Sequence, residues 1–184
     1  MLKNHKDILV VVGSGLEHAN TDTLAKTFMN GAIEAGHTVS KIFLGDVNIS
    51  PCKGCNACQH GNSCVIQDDM QTLNPLFNKC DVLVLASPLY FWTVSSRTKA
   101  FVKRLYAAVQ TEPGEYSKTV GKECVLLMTA ADNLFNTFEN AVSFYRLTSN
   151  YLGWIDKGMV LAGGCGGTDA PRSIPENNLE AAYI

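Results

Sequence analysis

From Val11 to Thr23 the chain reads VVGSGLEHANTDT, an apolar run that enters a loop of Gly, Ser, Asn and Thr and passes at once into a helix. Backbone N–H groups freed at a helix start carry partial positive charge, and glycines let the chain approach an anion closely. With the hydroxyls of Ser14, Thr21 and Thr23 alongside, this pattern predicts a phosphate cradle. Counting from Gly13 and Gly15, the third glycine of a dinucleotide fingerprint is replaced by His18, and no Gly-Lys pair followed by Ser or Thr is present. A terminal monophosphate suits such a loop better than a pyrophosphate or a triphosphate.

Two further sets of residues carry chemistry. Pro88-Leu89-Tyr90-Phe91-Trp92 places three consecutive aromatics after an apolar run. Aromatics at that point do not join a sheet core easily and make better sense as walls for a flat ligand. The other set is Cys52, Cys55, Cys58 and Cys64, spaced so that one loop can fold four thiolates around a single centre. Bacterial ferredoxin loops share the first three positions, but there the fourth cysteine comes sooner and precedes proline, whereas Val65 follows Cys64 here. An iron-sulfur centre, free or redox-active thiols, and zinc all stay open for this loop.

These residues need a frame. Apolar runs at Ile8 to Val12, Val39 to Leu44, Val82 to Ala86, Val125 to Met128 and Met159 to Ala162 suit strands buried on both faces. Leu24, Phe28, Ala32 and Ala35 repeat at helical spacing and stop at Gly36. Ala100, Val102, Leu105 and Tyr106 mark a second helix, and Phe135 to Tyr151 a third. Strands alternating with helices predict a parallel α/β sheet wrapped on both sides, with ligands beyond the carboxyl ends of the strands. The irregular stretch from Asn48 to Asp69 belongs on that ligand side. Asp68 and Asp69 are expected to cap a helix starting near Met70, and Arg97, Lys99, Lys103 and Arg104 to form mostly a solvated face, with Arg97 or Lys99 a candidate to reach the phosphate of a nicotinamide dinucleotide.

A length of 184 residues with 46% hydrophobic content predicts one domain over 1–184. A net charge of -2 offers no electrostatic case for nucleic acid or an anionic membrane, leaving small molecules or proteins as partners. The opening apolar run is far short of a signal peptide or a membrane span, which predicts a cytoplasmic location. In that reducing compartment the seven cysteines are not expected to form structural disulfides; Cys80, Cys124 and Cys165, next to strands, are expected in the core. Of the four histidines (His5, His18, His37, His60) only His18 lies near a proposed site, and the Gly163 to Gly167 run suits either a turn or an approach to a ligand.

The motifs GSGLEHANTDTLA, SPLYFWTVSSRTKAFVKRLY and PCKGCNACQHGNSCVIQDDM together resemble those of the flavodoxin-like NAD(P)H-dependent FMN reductases, over roughly residues 7 to 165. The resemblance implies a three-layer sandwich with a five-stranded parallel sheet and FMN across the strand ends. By it, Ser14, His18, Asn20 and Thr21 would bind the FMN phosphate, Pro88, Leu89, Tyr90, Phe91 and Trp92 would contact the isoalloxazine ring, and Thr129, Ala130 and Asp132 would complete the flavin side. The cysteine spacing is similar to that of iron-sulfur flavoproteins, which implies one [4Fe-4S] cluster on Cys52, Cys55, Cys58 and Cys64. The implied activity is hydride transfer from NADH or NADPH to flavin N5 and onward electron delivery to a quinone, a flavin, a nitro compound or an iron-sulfur centre. A flavodoxin-type electron carrier and a cysteine-loop redox sensor are the alternatives. A homodimer is implied as well. Many relatives carry Arg or Lys near His18, so a neutral imidazole there predicts weaker FMN retention.

Overall fold

The computed structural model describes residues 5–59, 62–109, 119–166 and 172–183. Its long strands are β1 (Asp7–Val12), β2 (Thr38–Phe43), β3 (Val82–Tyr90), β5 (Glu123–Thr129) and β6 (Ile155–Ala162), and a two-residue β4 (Thr93–Val94) follows β3. The order across the sheet is β2-β1-β3-β5-β6 with every pair parallel, while β4 folds back antiparallel on the end of β3. The helices are α1 (Asn20–Glu34), α2 (Met70–Lys79), α3 (Ser96–Arg104), α4 (Tyr106–Val109), α5 (Glu139–Leu152) and α6 (Glu176–Ala182).

The period-two alternation of the strands sorts the apolar residues into two cores. Leu9, Val11, Leu83, Leu85, Leu126 and Met128 face one side, where Phe77 of α2, Phe101 of α3 and Tyr145 of α5 cover them. Ile8, Val10, Val12, Val84 and Ala86 face the other, under Leu24 and Ala25 of α1 and Ala182 of α6. Burial on both faces explains why β1, β3 and β5 read as continuous apolar runs. The edge strands β2 and β6 are only partly covered, and they carry Ser40, Lys41, Asp156 and Lys157.

The helices follow the expected pattern with two differences. α1 ends at Glu34 with Ala35 as its C-cap, and Gly36 takes a φ of +91° that favours glycine. α5 starts at Glu139 rather than at Phe135, because the Thr137 hydroxyl accepts from the Leu134 amide and donates to Asp132, closing a turn that holds the preceding residues out of the helix. The helix after the aromatic loop breaks at Leu105 into α3 and α4.

Candidate functional site

The loop after β1 lies against the start of α3. The Gly13 amide donates to the Ala86 carbonyl at 2.7 Å, and a Cβ on Gly13 would sit 1.8 Å from Thr98 Oγ1, so only glycine fits there. The Ser14 hydroxyl bridges its own turn to the Leu16 amide and carbonyl. His18 is exposed with φ +57°, and its amide donates to the buried carboxylate of Asp22 at 3.0 Å. Asn20 Nδ2 donates to the Cys165 carbonyl at 2.7 Å, and Thr21 Oγ1 bonds Thr129 Oγ1 at 2.7 Å. Of the four residues expected to hold a phosphate, Asn20 and Thr21 therefore spend their side chains tying α1 to the ends of β5 and β6. The amides at the head of α1, which no carbonyl of the helix can reach, are the loop's donors.

Cations reach this loop from positions that lie apart from it in sequence. Lys26 Nζ lies 3.1 Å from His18 Nδ1 and 2.8 Å from Asp22, and Lys41 from β2 pairs with the same carboxylate. The Arg97 guanidinium lies 3.7 Å from where a Cβ on Gly15 would stand. Lys26 and Arg97 thus stand near His18 and Gly15 as cations that the reading of His18 did not include. Asp22 itself is fully buried; burial works to raise its pKa, and the hydrogen bonds from Lys26, Lys41 and the His18 amide overcome this and lower it to about 2.

The aromatic segment forms a tight hairpin between β3 and β4, with Leu89 opposite Val94 and Tyr90 opposite Thr93. Phe91 and Trp92 are its two central residues, at φ +47° and +58°. A two-residue turn with both φ values positive ordinarily takes Asn and Gly. Here it projects rings into solvent: Phe91 is 92% exposed, Tyr90 57% and Trp92 52%. Leu89, Tyr90, Phe91 and Trp92 line a concavity of about 350 Å³ together with Asp132 from the loop after β5. Pro88 is buried within β3 beside Thr129, and Ala130 is buried with its amide bonded to the Ala162 carbonyl.

The four loop cysteines share one wall of a separate cavity of about 530 Å³, formed with α3, α4 and α5. Burial, and then the neighbouring Cys64, Cys52 and Cys55, push the Cys58 thiol up. The donor type suits iron or zinc. Among the described residues, however, no three ligating side chains are drawn together tightly enough to hold a metal ion. The base of the loop is clamped by Arg104, expected on a solvated face and found buried. Its guanidinium donates to Asp68 at 2.5 and 3.0 Å and to the Ser50 carbonyl at 2.8 Å, while its Nε has no partner. The Arg104 guanidinium also lies against the Cys64 thiol. Asp68 accepts from the Met70 amide, as expected of a cap, but the Asp69 carboxylate makes no bond into α2 and accepts from the Asn48 amide instead. Cys80, Cys124 and Cys165 are buried. His60 and Gly167 lie outside the described residues.

Sequence reasoning missed the bracing of these loops by hydroxyls. Ser87 Oγ accepts from the Ser95 amide at 2.9 Å, and Ser95 Oγ donates to the Gly13 carbonyl while accepting from the Thr98 amide as the cap of α3. A serine three residues before Thr98 at a helix start was the available signal.

A five-stranded parallel sheet in this order, with a helix-starting loop after the first strand and an exposed ring-bearing loop after the third, defines a flavodoxin-like α/β protein. The NADPH-dependent FMN reductase family model matches residues 7–139, and the chain belongs to that family. An iron-sulfur flavoprotein of Archaeoglobus fulgidus is 29% identical over 112 residues, 60% of this chain and 51% of that protein. An iron-sulfur flavoprotein of Methanocaldococcus jannaschii is 32% identical over 97 residues, 53% of this chain and 50% of the other. The chain thus matches about half the length of these curated relatives. In fold, it is similar to the NAD(P)H:quinone oxidoreductase of Methanothermobacter marburgensis, with a TM-score of 0.77 at 16% identity over 97% of this chain and 94% of that one.

The residues present fit FMN. Gly15 is open, with the Arg97 guanidinium 3.7 Å from where a Cβ would stand, Lys26 and Arg97 bring positive charge to the loop for a phosphate, and the hairpin offers a flat apolar surface beside Asp132.

Proposed function

We propose that the protein is an FMN-dependent oxidoreductase that oxidises NADH or NADPH and passes the electrons to a second small molecule such as a quinone, a free flavin or a nitro compound. The observation that carries this reading is the bracing of the cradle loop and the exposed aromatic hairpin into one unit by Ser87 and Ser95. When bound, the flavin supplies the two-electron chemistry, and no catalytic base from the protein is required. The chain's work is positional. The amides of the loop after β1 and the cations Lys26 and Arg97 take the phosphate, and Tyr90, Phe91 and Trp92 support the ring while leaving its other face open to a stacked nicotinamide. We further propose a single cytoplasmic flavin-binding domain that works as a homodimer, whose exposed rings are partly covered by the second copy.

Steady-state oxidation of NADH and NADPH with a panel of acceptors tests the reading. Ping-pong kinetics with bound FMN are expected, and the absence of any pyridine-nucleotide oxidation by FMN-loaded protein would sink it. The near-neutral charge favours an enzyme over a flavodoxin-type carrier, since such carriers are strongly acidic.

The gathering of Cys52, Cys55, Cys58 and Cys64 on one cavity wall, with an unpartnered Arg104 Nε near Cys64, supports a second redox element there. Cysteine thiolates supply the ligands of a [4Fe-4S] cluster, and a buried N–H beside them is an acceptor-seeking neighbour for sulfur. Iron and sulfide analysis of anaerobically purified protein decides between a cluster and free thiols.

A further inference from the structure

The cavity behind the cysteine loop shares no residue with the concavity on the aromatic hairpin. Its volume falls within the range of small-molecule sites, about 300–1,000 Å³. Apart from the cysteine loop its lining is apolar: Val102 and Tyr106 on one side, Phe144, Leu147, Tyr151 and Leu152 of α5 on the other. Three lysines line this space, Lys53 on the cysteine loop and two on α3. Lys99 and Lys103 stand one turn apart on α3 and both line the cavity. Neither pairs with a carboxylate among the described residues. Lys99 Nζ sits 3.7 Å above the centre of the Phe144 ring, and desolvation followed by the charge of Lys103 pulls its pKa down.

Two uncompensated ammonium groups at the rim of an aromatic-lined cavity favour an occupant that is itself aromatic and negatively charged. We propose that this cavity is a second binding site, distinct from the flavin shelf, for a planar aromatic molecule bearing a carboxylate or sulfonate, with Lys99 and Lys103 holding the anionic group and Phe144, Leu147 and Tyr151 the ring. The inference goes beyond the reductase reading and does not depend on it.

The test is titration of FMN-saturated, reduced-thiol protein, followed by calorimetry, with naphthalene-2-sulfonate, which is not a quinone and so is no substrate for the flavin, beside the uncharged 2-(hydroxymethyl)naphthalene. The site predicts that the sulfonate binds more tightly than the neutral analogue, and that the double variant Lys99→Gln/Lys103→Gln weakens it by roughly tenfold, the scale of one lost charged hydrogen bond. Thr148→Trp, which fills the cavity from α5, must weaken both compounds, whereas Trp92→Ala on the flavin shelf must weaken neither. No binding, equal binding by wild type and the lysine variant, or loss confined to Trp92→Ala would overturn the proposal. Because the readout is binding, that result would leave NADH or NADPH oxidation as a separate question.

Discussion

Ser95 Oγ donates a 2.7 Å hydrogen bond to the carbonyl of Gly13, 82 residues earlier in the chain. The same hydroxyl caps α3 through the Thr98 amide and contacts Thr98 Oγ1 at 3.0 Å, so one buried side chain sets both the cradle loop and the helix that follows the aromatic hairpin. Loss of this group leaves a buried carbonyl and an uncapped helix end at once. Ser95→Ala is expected to cost about 2 kcal/mol of stability by urea denaturation and to weaken FMN binding measured by flavin fluorescence quenching. Unchanged FMN affinity in a folded variant would separate the cap from the site.

Gly13→Ala places a methyl group 1.8 Å from Thr98 Oγ1. The variant is expected to displace the loop and lose FMN binding, with partial recovery in Gly13→Ala/Thr98→Ala. A double-mutant cycle measures the coupling, and additive effects would show that the clash is relieved elsewhere.

The Arg104–Asp68 pair is almost fully buried, and removing either partner strands the other. Arg104→Gln is expected to destabilise by about 3–5 kcal/mol and to free the cysteine loop. Thiol labelling of Cys52, Cys55, Cys58 and Cys64 reports the second effect, which should appear as faster modification at temperatures where the variant remains folded.

Acid stability follows from two carboxylates. Asp22 is held at about 2, and Asp68 is also lowered: burial opposes ionisation there, but hydrogen bonds from Arg104 and the Ser50 and Met70 amides prevail. Both bind a proton more weakly folded than unfolded, where an aspartate titrates near about 3.9. Their contribution is therefore complete above about pH 5 and drains away as the pH falls through 4 toward 2. Asp22→Asn should flatten the wild-type decline in melting temperature across that window, and lower the plateau at pH 7 by up to about 2.6 kcal/mol.

Phe91 and Trp92 hold left-handed backbone that neither residue favours. Replacing them by Asn and Gly, which suit the turn, is expected to raise stability by about 1 kcal/mol or more and to lower FMN affinity. A gain in melting temperature without loss of flavin would assign the rings another task.

The alternation of apolar runs and helical repeats made β1, β3, β5 and α1 legible, because residues buried on both faces leave no ambiguity of pattern. The Gly-rich loop was legible for its punctuation. Arg104 was not: a charged residue on an amphipathic helix reads as solvated unless its partner is known, and Asp68 lies 36 residues away. Arg97 and Lys26 were missed for the same reason, since their approach to Gly15 and His18 depends on how α3 and α1 are set against the loop. Asn20 and Thr21 were placed at the phosphate by the family resemblance, and the hydrogen bonds of their side chains to the ends of β5 and β6 join partners more than a hundred residues apart, which no local pattern shows.

The nine residues of α3 span about 13 Å at 1.5 Å per residue. One tip of this rod is pinned to the Gly13 carbonyl, and the other grips Ser50 and Asp68 below the thiol-bearing segment. No slack connection separates the two ends, so the cradle and the cysteine-bearing segment are held by one continuous rigid element.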